Sequence, residues 1–366
     1  MSPDLLVPGT LEAAGLAALV AHGGLTAVGG IPAPLVQPAS IDLRLSAEGY
    51  RMPGSVLPLA GERVRDLVEG LAFERIDLSK PAVLARNQVY VVRLMESAAL
   101  PTGLAGYANG KSTTGRIDLA TRVLADGSPR YDRLPPGYRG ELWIELIPRS
   151  FTVVARQGVA LNQAIFFAER RVLGQDQLAA RHARTPLLRL ADGSVAPAAV
   201  FDGRLVMTAD LDRPVVGFVA KRTQRMLILD QGGHRAQDFF DPLPCPDRGM
   251  MFLEQDRFYI LATRERVVVP NDLACEMVPY EATAGDFRAH YAGFFDPGWG
   301  IDGDRAPGAV AVLEVRPHQD DLLLRHRQPI CAMAFEALQQ TCTRPYGTCG
   351  NTYAAQDGPR LSKHFS

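Results

Sequence analysis

Short runs in which apolar and polar residues alternate, or in which β-branched and aromatic residues crowd together, recur along the chain. SIDLRL (40–45), QVYVVRLM (88–95), ELWIELI (141–147), FTVVARQ (151–157) and AIFFAER (164–170) form one series; FYILATRERVVVP (258–270), GAVAVLEV (308–315) and ICAMAFEAL (330–338) form another. A two-residue period turns one face of a strand towards a core, and Gly and Pro punctuate the intervals. The pattern therefore predicts an all-β fold rather than alternating strands and helices. The first 24 residues, MSPDLLVPGTLEAAGLAALVAHGG, read as an amphipathic helix capped by Thr10.

The two series repeat each other. VYVVRLMESAALP aligns with FYILATRERVVVP at a shift of 169 (270 minus 101 for the closing prolines), and the same shift sets Glu145 over Glu314 and Arg156 over Arg325. Single cores stop growing near roughly 250–300 residues, so a chain of 366 residues is expected to form two domains. Their expected bounds are 1–170 and 201–366, joined by a polar bridge at 171–200 that carries a short helix. The halves differ in chemistry. NGKSTTGRIDL (109–119) has no counterpart, because the shift maps Lys111, Ser112 and Arg116 onto Tyr280, Glu281 and Gly285. Conversely, YDRLPPGYRG in the first half corresponds to the tighter FFDPGWG in the second.

Composition narrows the partners. With 47% hydrophobic residues, 22% charged residues and a net charge of -1, the chain has neither a disordered composition nor the basic surplus that grips nucleic acid. Asp4 stands where a secretory signal would be basic, and no apolar run approaches the ~18 residues of a membrane span. Cys245, Cys275, Cys331, Cys342 and Cys349 lack zinc-ligand spacing, and read as thiols in a reducing cytoplasm.

Two features carry candidate chemistry. In NGKSTTGRIDL, Gly110 allows close backbone approach, hydroxyls donate, and Lys111 and Arg116 supply positive charge, as an anion site requires. The bland reading is a polar turn with an Arg116–Asp118 ion pair; the stretch is not a P-loop. Glu314 ends an apolar strand between Leu313 and Val315, where desolvation would favour a proton-accepting carboxylate; plain alternation would instead turn it to solvent. Glu145 is its symmetric competitor.

QPASIDLRL, YVVRLMESAALPTGLAGYANGKSTTGRIDL, FFDPGWG followed by a strand ending in VLE, and the tail RPYG…YAAQDGP together resemble the dCTP deaminase branch of the dUTPase-like superfamily. The resemblance implies two tandem distorted β-barrel (jelly-roll) domains. It also implies hydrolytic deamination of dCTP to dUTP and ammonia, with Mg²⁺ carried on the triphosphate and no catalytic zinc. By motif, Glu314 (or Glu145) is implied as general base and then acid, and Ser112 and Arg116 as its catalytic partners. Gly110, Lys111 and Thr113 would face phosphates, with Lys111 where the family commonly has Arg. Asp296, beside Trp299, would hold the deoxyribose 3′-hydroxyl, and the backbone of 292–294, including Phe294, the base. Tyr346, Tyr353, Gln356 and Gly358 would close over the triphosphate, although the family's lysine is Thr352 here. The zinc-deaminase signature HxE…PCxxC is absent from the sequence.

The rival readings are a dUTP diphosphatase or bifunctional enzyme, and a non-catalytic nucleotide-binding regulator. dTTP is a candidate feedback inhibitor, and the family trimer makes a homo-oligomer an expectation. Two unlike halves cannot alternate around a three-membered ring. Either each half assembles with its own kind, or one site draws on both halves and uses Glu314.

Overall fold

A computed structural model describes residues 3–280, 293–348, 353 and 356–366. The chain divides into two compact units. Unit 1 comprises Met1–Arg170, Thr223–His234 and His364–Ser366; unit 2 comprises Arg171–Arg222 and Arg235–Lys363.

Unit 1 contains α1 (Ala13–Ala21), β1 (Ile41–Met52), α2 (Val64–Leu71), β2 (Ala82–Leu84), β3 (Val89–Ala99), β4 (Ala105–Gly110), the short α3 (Ser112–Gly115), β5 (Leu119–Ala125), β6 (Arg139–Pro148), β7 (Val153–Ala155) and β8 (Ala160–Phe167). Its large sheet runs β5-β6-β3-β1-β8-β4, and a smaller one joins β2, β7 and Leu227–Ile228. Every run of the first series forms a strand. α1 departs from expectation at its cap. The helix begins at Ala13, so Glu12 is the residue whose carboxylate reaches the open amides, accepting from Ala14 N–H at 2.9 Å and Gly15 N–H at 3.0 Å. Thr10 is instead buried and bridges Phe167.

Unit 2 contains α4 (Gln175–Arg184), β9 (Val215–Ala220), β10 (Met250–Leu253), β11 (Tyr259–Val267), β12 (Leu273–Pro279), β13 (Ala309–Val315), β14 (Leu322–Arg325) and β15 (Pro329–Ala337). Residues 171–200, expected as a bridge, are built into this unit. Arg171–Val172 pairs with β15, Leu188–Arg189 pairs with β11, and Leu178 of α4 is buried. α4 is the helix expected there.

The duplication extends to strand register. Val91 faces Glu145 across β3 and β6, and Ile260 faces Glu314 across β11 and β13, with both members displaced by 169 (260 minus 91, 314 minus 145). Leu84↔Val153 recurs as Leu253↔Leu322, and Ala108↔Ala164 as Met277↔Met333. A slip of one residue would turn every side chain to the opposite face, so shared register means that equivalent positions face equivalent surroundings.

The core beside Glu145 is built on Trp143, fully buried and 6.1 Å from the Tyr50 ring, with Met52, Val64, Val68, Val91 and Leu124 around it. The Arg65 guanidinium lies 5.2 Å from the indole and is held there by Glu48 at 2.7 Å and Glu141 at 3.1 Å. Trp143→Ala should lower stability by about 3–5 kcal/mol in chemical denaturation, the cost of an unfilled aromatic cavity.

Candidate active site

The anion-binding motif forms one helical turn fastened to β8. Lys111 N–H donates to Leu161 O at 3.0 Å, Thr114 Oγ1 donates to the same carbonyl at 2.8 Å, and Arg116 N–H closes onto Ser112 O at 3.1 Å. Gly110 is required by space: a Cβ there would sit 2.9 Å from Thr121 Oγ1. That threonine also accepts from the fully buried Asn162 Nδ2 at 3.3 Å. The Lys111 ammonium is ion-paired with the buried Asp42 carboxylate. Thr113 and Arg116 are buried, Ser112 is part-exposed, and Asp118 accepts from Ser150 Oγ at 2.6 Å. The side chains of Asn109, Lys111, Thr114 and Asp118 in the motif are thus each bound within the protein itself.

Glu145 is 1% exposed on β6 and bound by Arg122, whose Nε lies 2.9 Å and Nη2 2.5 Å from Oε1. The Tyr131 ring stacks 4.0 Å from that guanidinium, and its hydroxyl reaches Glu145 Oε2 at 3.5 Å. Beside them stands Asp132, with φ at 61° and a carboxylate accepting Val123 N–H at 2.8 Å. Burial pushes its pKa up to about 7, against the lowering effects of that N–H and of Arg122 and Arg133; the Glu145 charge adds to the rise. Arg122, Tyr131 and Asp132 went unmarked in the sequence, because only the strand pairing of β5 with β6 brings Arg122 to Glu145. Arg122 follows Thr121 directly, and consecutive strand residues point to opposite faces, so the Glu145 pair and the Gly110–Thr121 contact lie on opposite faces of β5.

In unit 2, Glu314 is 3% exposed. β13 is buried along its whole length, so strand alternation does not bring this carboxylate to water. The DPGW turn closes by Trp299 N–H to Asp296 O at 3.1 Å, and Gly298 N–H donates to Val269 O at 2.8 Å. Gly298 has φ at 92°, and a Cβ would come within 2.6 Å of Pro345 Cβ, so glycine is needed on both counts. Trp299 stands between Phe295, edge-on at 5.1 Å, and Tyr346 at 5.0 Å; Asp296 is buried.

The tail is held against this hairpin and strand. Tyr346 N–H donates to Pro297 O at 2.7 Å, the Tyr346 hydroxyl accepts Tyr353 N–H at 3.2 Å, and Gln356 Nε2 donates to Val310 O of β13 at 2.6 Å. Gly358, with φ at 146°, packs where a Cβ would lie 2.5 Å from Arg213 Nη1. The structure thus gathers Asp296, Trp299, Tyr346, Tyr353, Gln356 and the Glu314 strand in unit 2, and Gly110, Lys111, Ser112, Thr113, Arg116 and Glu145 in unit 1. Phe294 pairs with the buried Glu276, which sequence reasoning did not mark. Residue 292 of the expected base-binding segment and Thr352 lie outside the described residues, as do Glu281 and Gly285. Among the described residues, no group of three or more His, Cys, Asp or Glu is placed to hold a metal ion, and no helix is long and apolar enough to cross a membrane.

Comparison with known proteins agrees with this two-part organisation. Residues 7–170 match the 2′-deoxycytidine 5′-triphosphate deaminase N-terminal domain, and residues 174–365 match the C-terminal domain of the same family. A crystal structure of 2′-deoxycytidine 5′-triphosphate deaminase from Agrobacterium tumefaciens superposes with a TM-score of 0.83 at 36% identity, covering 91% of this chain and 99% of that one. A dCTP deaminase of Hamiltonella defensa is 26% identical over 121 residues, and a dUMP-forming dCTP deaminase of Acidothermus cellulolyticus is 31% identical over 117; each alignment covers 31% of this chain. The chain spans 60% and 55% of the length of those two curated relatives. With both domain matches present in order and a solved relative covered almost end to end, the chain belongs to the 2′-deoxycytidine 5′-triphosphate deaminase family.

Proposed function

We propose that this protein hydrolyses dCTP to dUTP and ammonia. The observation that carries the reading is the agreement of nearly the whole chain with a solved dCTP deaminase. The buried carboxylate Glu314 supplies the chemistry. Water oxygen bonds to C4 of cytosine as its first proton passes through Glu314 to N3; the second, from the C4 hydroxyl, then passes through Glu314 to the amino nitrogen, the C4–N4 bond breaks, and ammonia leaves behind a C4 carbonyl. General acid–base transfer of this kind contributes about 10²–10⁴ in rate. Ser112 orients the water. Gly110, Lys111, Thr113 and Arg116 bind the triphosphate, which arrives with its own Mg²⁺. Asp296 takes the 3′-hydroxyl, the backbone at 293–294 takes the base beside Phe294 and Trp299, and Tyr346, Tyr353, Gln356 and Gly358 close the site. Glu145 has a different duty in this scheme: its Oε1 is already engaged by Arg122, so it holds β5 to β6. dTTP, which shares the sugar and triphosphate, is the proposed feedback inhibitor, a homo-oligomer the proposed form and the cytoplasm the proposed compartment.

A second reading, in which dUTP is cleaved onward to dUMP and pyrophosphate, is favoured by the name of the Acidothermus relative. Ammonia release together with nucleotide chromatography separates the readings: dUTP and ammonia from dCTP support the deaminase, dUMP adds the second activity, and no ammonia contradicts both. In that assay Glu314→Gln should abolish deamination while leaving dCTP binding intact, and Glu145→Gln should retain most activity in whatever protein folds. The reverse pattern would make Glu145 the base. Arg116→Ala removes a charge-assisted donor, so kcat/KM for dCTP should fall by about 10²-fold or more; unchanged kinetics would return the motif to a structural turn. Removing Mg²⁺ should depress activity, whereas zinc-selective chelators should leave it unaltered, because the divalent ion travels with the triphosphate. Inactivation by zinc-selective chelation, reversed by zinc, would refute this scheme.

A further inference from the structure

The duplication exposes an unmatched edge. In unit 1, β2 and β7 form a ribbon whose outer edge is covered by Leu227–Ile228: Leu227 N–H donates to Thr152 O and Leu229 N–H to Val154 O, both at 3.0 Å. The equivalent ribbon in unit 2 is β10 with β14, and among the described residues no third strand joins it. The shift carries Val154 to Leu323 (323 minus 154) and Val83 to Phe252 (252 minus 83). Phe252 and Leu323 are cross-strand partners, 68% and 41% exposed, and Met250 beside them is 38% exposed. An uncovered edge strand with an apolar face is a template for another strand.

The sequence of that edge indicates which strand. β14 lies in QDDLLLRHR (319–327), acidic before the three leucines and basic after them. Two copies laid antiparallel about a two-fold axis at Leu323 would set Asp321 of each beside Arg325 of the other, and Asp320 beside His326. A contact between identical edges must be self-complementary, and this charge order meets that condition only when the strands run antiparallel. A parallel pairing would oppose like charges. Within its own unit, Asp321 accepts Gln255 N–H at 2.8 Å and Arg325 N–H donates to the Gln328 side chain at 3.1 Å, which fixes the ends of the strand.

We propose that the β14 edge of unit 2 pairs with the same edge of a second copy of this chain, joining two ribbons into a four-stranded sheet across a two-fold axis. So short an edge buries less than the ~1,200 Å² of a standard stable interface, so the association is weak and concentration-dependent. Sedimentation velocity of the full chain across a concentration series tests it. At high concentration the wild type should reach twice the mass of Arg325→Asp, whatever assembly the rest of the surface builds, and the Asp321→Arg/Arg325→Asp double variant should recover the larger mass. A Leu323→Cys variant should form a disulfide-linked pair under mild oxidation that the wild type, with its exposed Cys245, does not. Equal masses for all three proteins at every concentration, together with no Leu323→Cys crosslink, would overturn the proposal.

Discussion

The structure turns on the burial of a carboxylate inside a strand, imposed twice by one register. Across β3 and β6 the pairing puts Glu145 opposite Val91, and across β11 and β13 it puts Glu314 opposite Ile260. Taking a carboxylate out of water is costly unless charge and hydrogen bonds compensate. Unit 1 meets the cost with the Arg122 guanidinium, itself stacked on Tyr131. The shift of 169 places a tyrosine, Tyr291, at Arg122's counterpart in the sequence (291 minus 122), so unit 2 does not carry the same arginine at that position. Two glutamates that began as equivalents therefore differ in the residue that the sequence sets at Arg122's position.

The same divergence runs through the motifs. The first half keeps NGKSTTGRIDL, folded as a turn with Gly110 pressed on Thr121 and Lys111 tied to Asp42. The second keeps the DPGW hairpin, where Gly298 and Trp299 pack on Pro345 and Tyr346 and so anchor the tail. Each half has become specialised in its motifs, on a common ladder of strands.

Much of this was legible in the sequence, because strand alternation and a fixed-offset repeat are local signals. All eight runs marked from the pattern form strands, and Pro101 with Pro270, and Glu145 with Glu314, mark the offset that the register reproduces. What stayed hidden depends on contacts distant in sequence. Leu227–Ile228 joins a sheet of unit 1 from within the second half of the chain, and a two-residue strand has no period to detect. Lys111 and Asp42 are 69 residues apart, and Arg122 and Glu145 are 23 apart. Thr10 resembled a cap by residue type, but the cap belongs to Glu12 because the helix starts three residues after Thr10. Burial of Glu314, by contrast, was legible in the apolar run around it, although plain alternation would have turned the carboxylate to solvent.

In the proposed reaction water attacks carbon rather than phosphorus. A single turnover of dCTP in H₂¹⁸O, followed by mass analysis of the products, tests it most directly. Attack on carbon puts one ¹⁸O in the uracil base of dUTP and leaves the triphosphate unlabelled. An unlabelled base, with the heavy oxygen in a phosphate product, would contradict it.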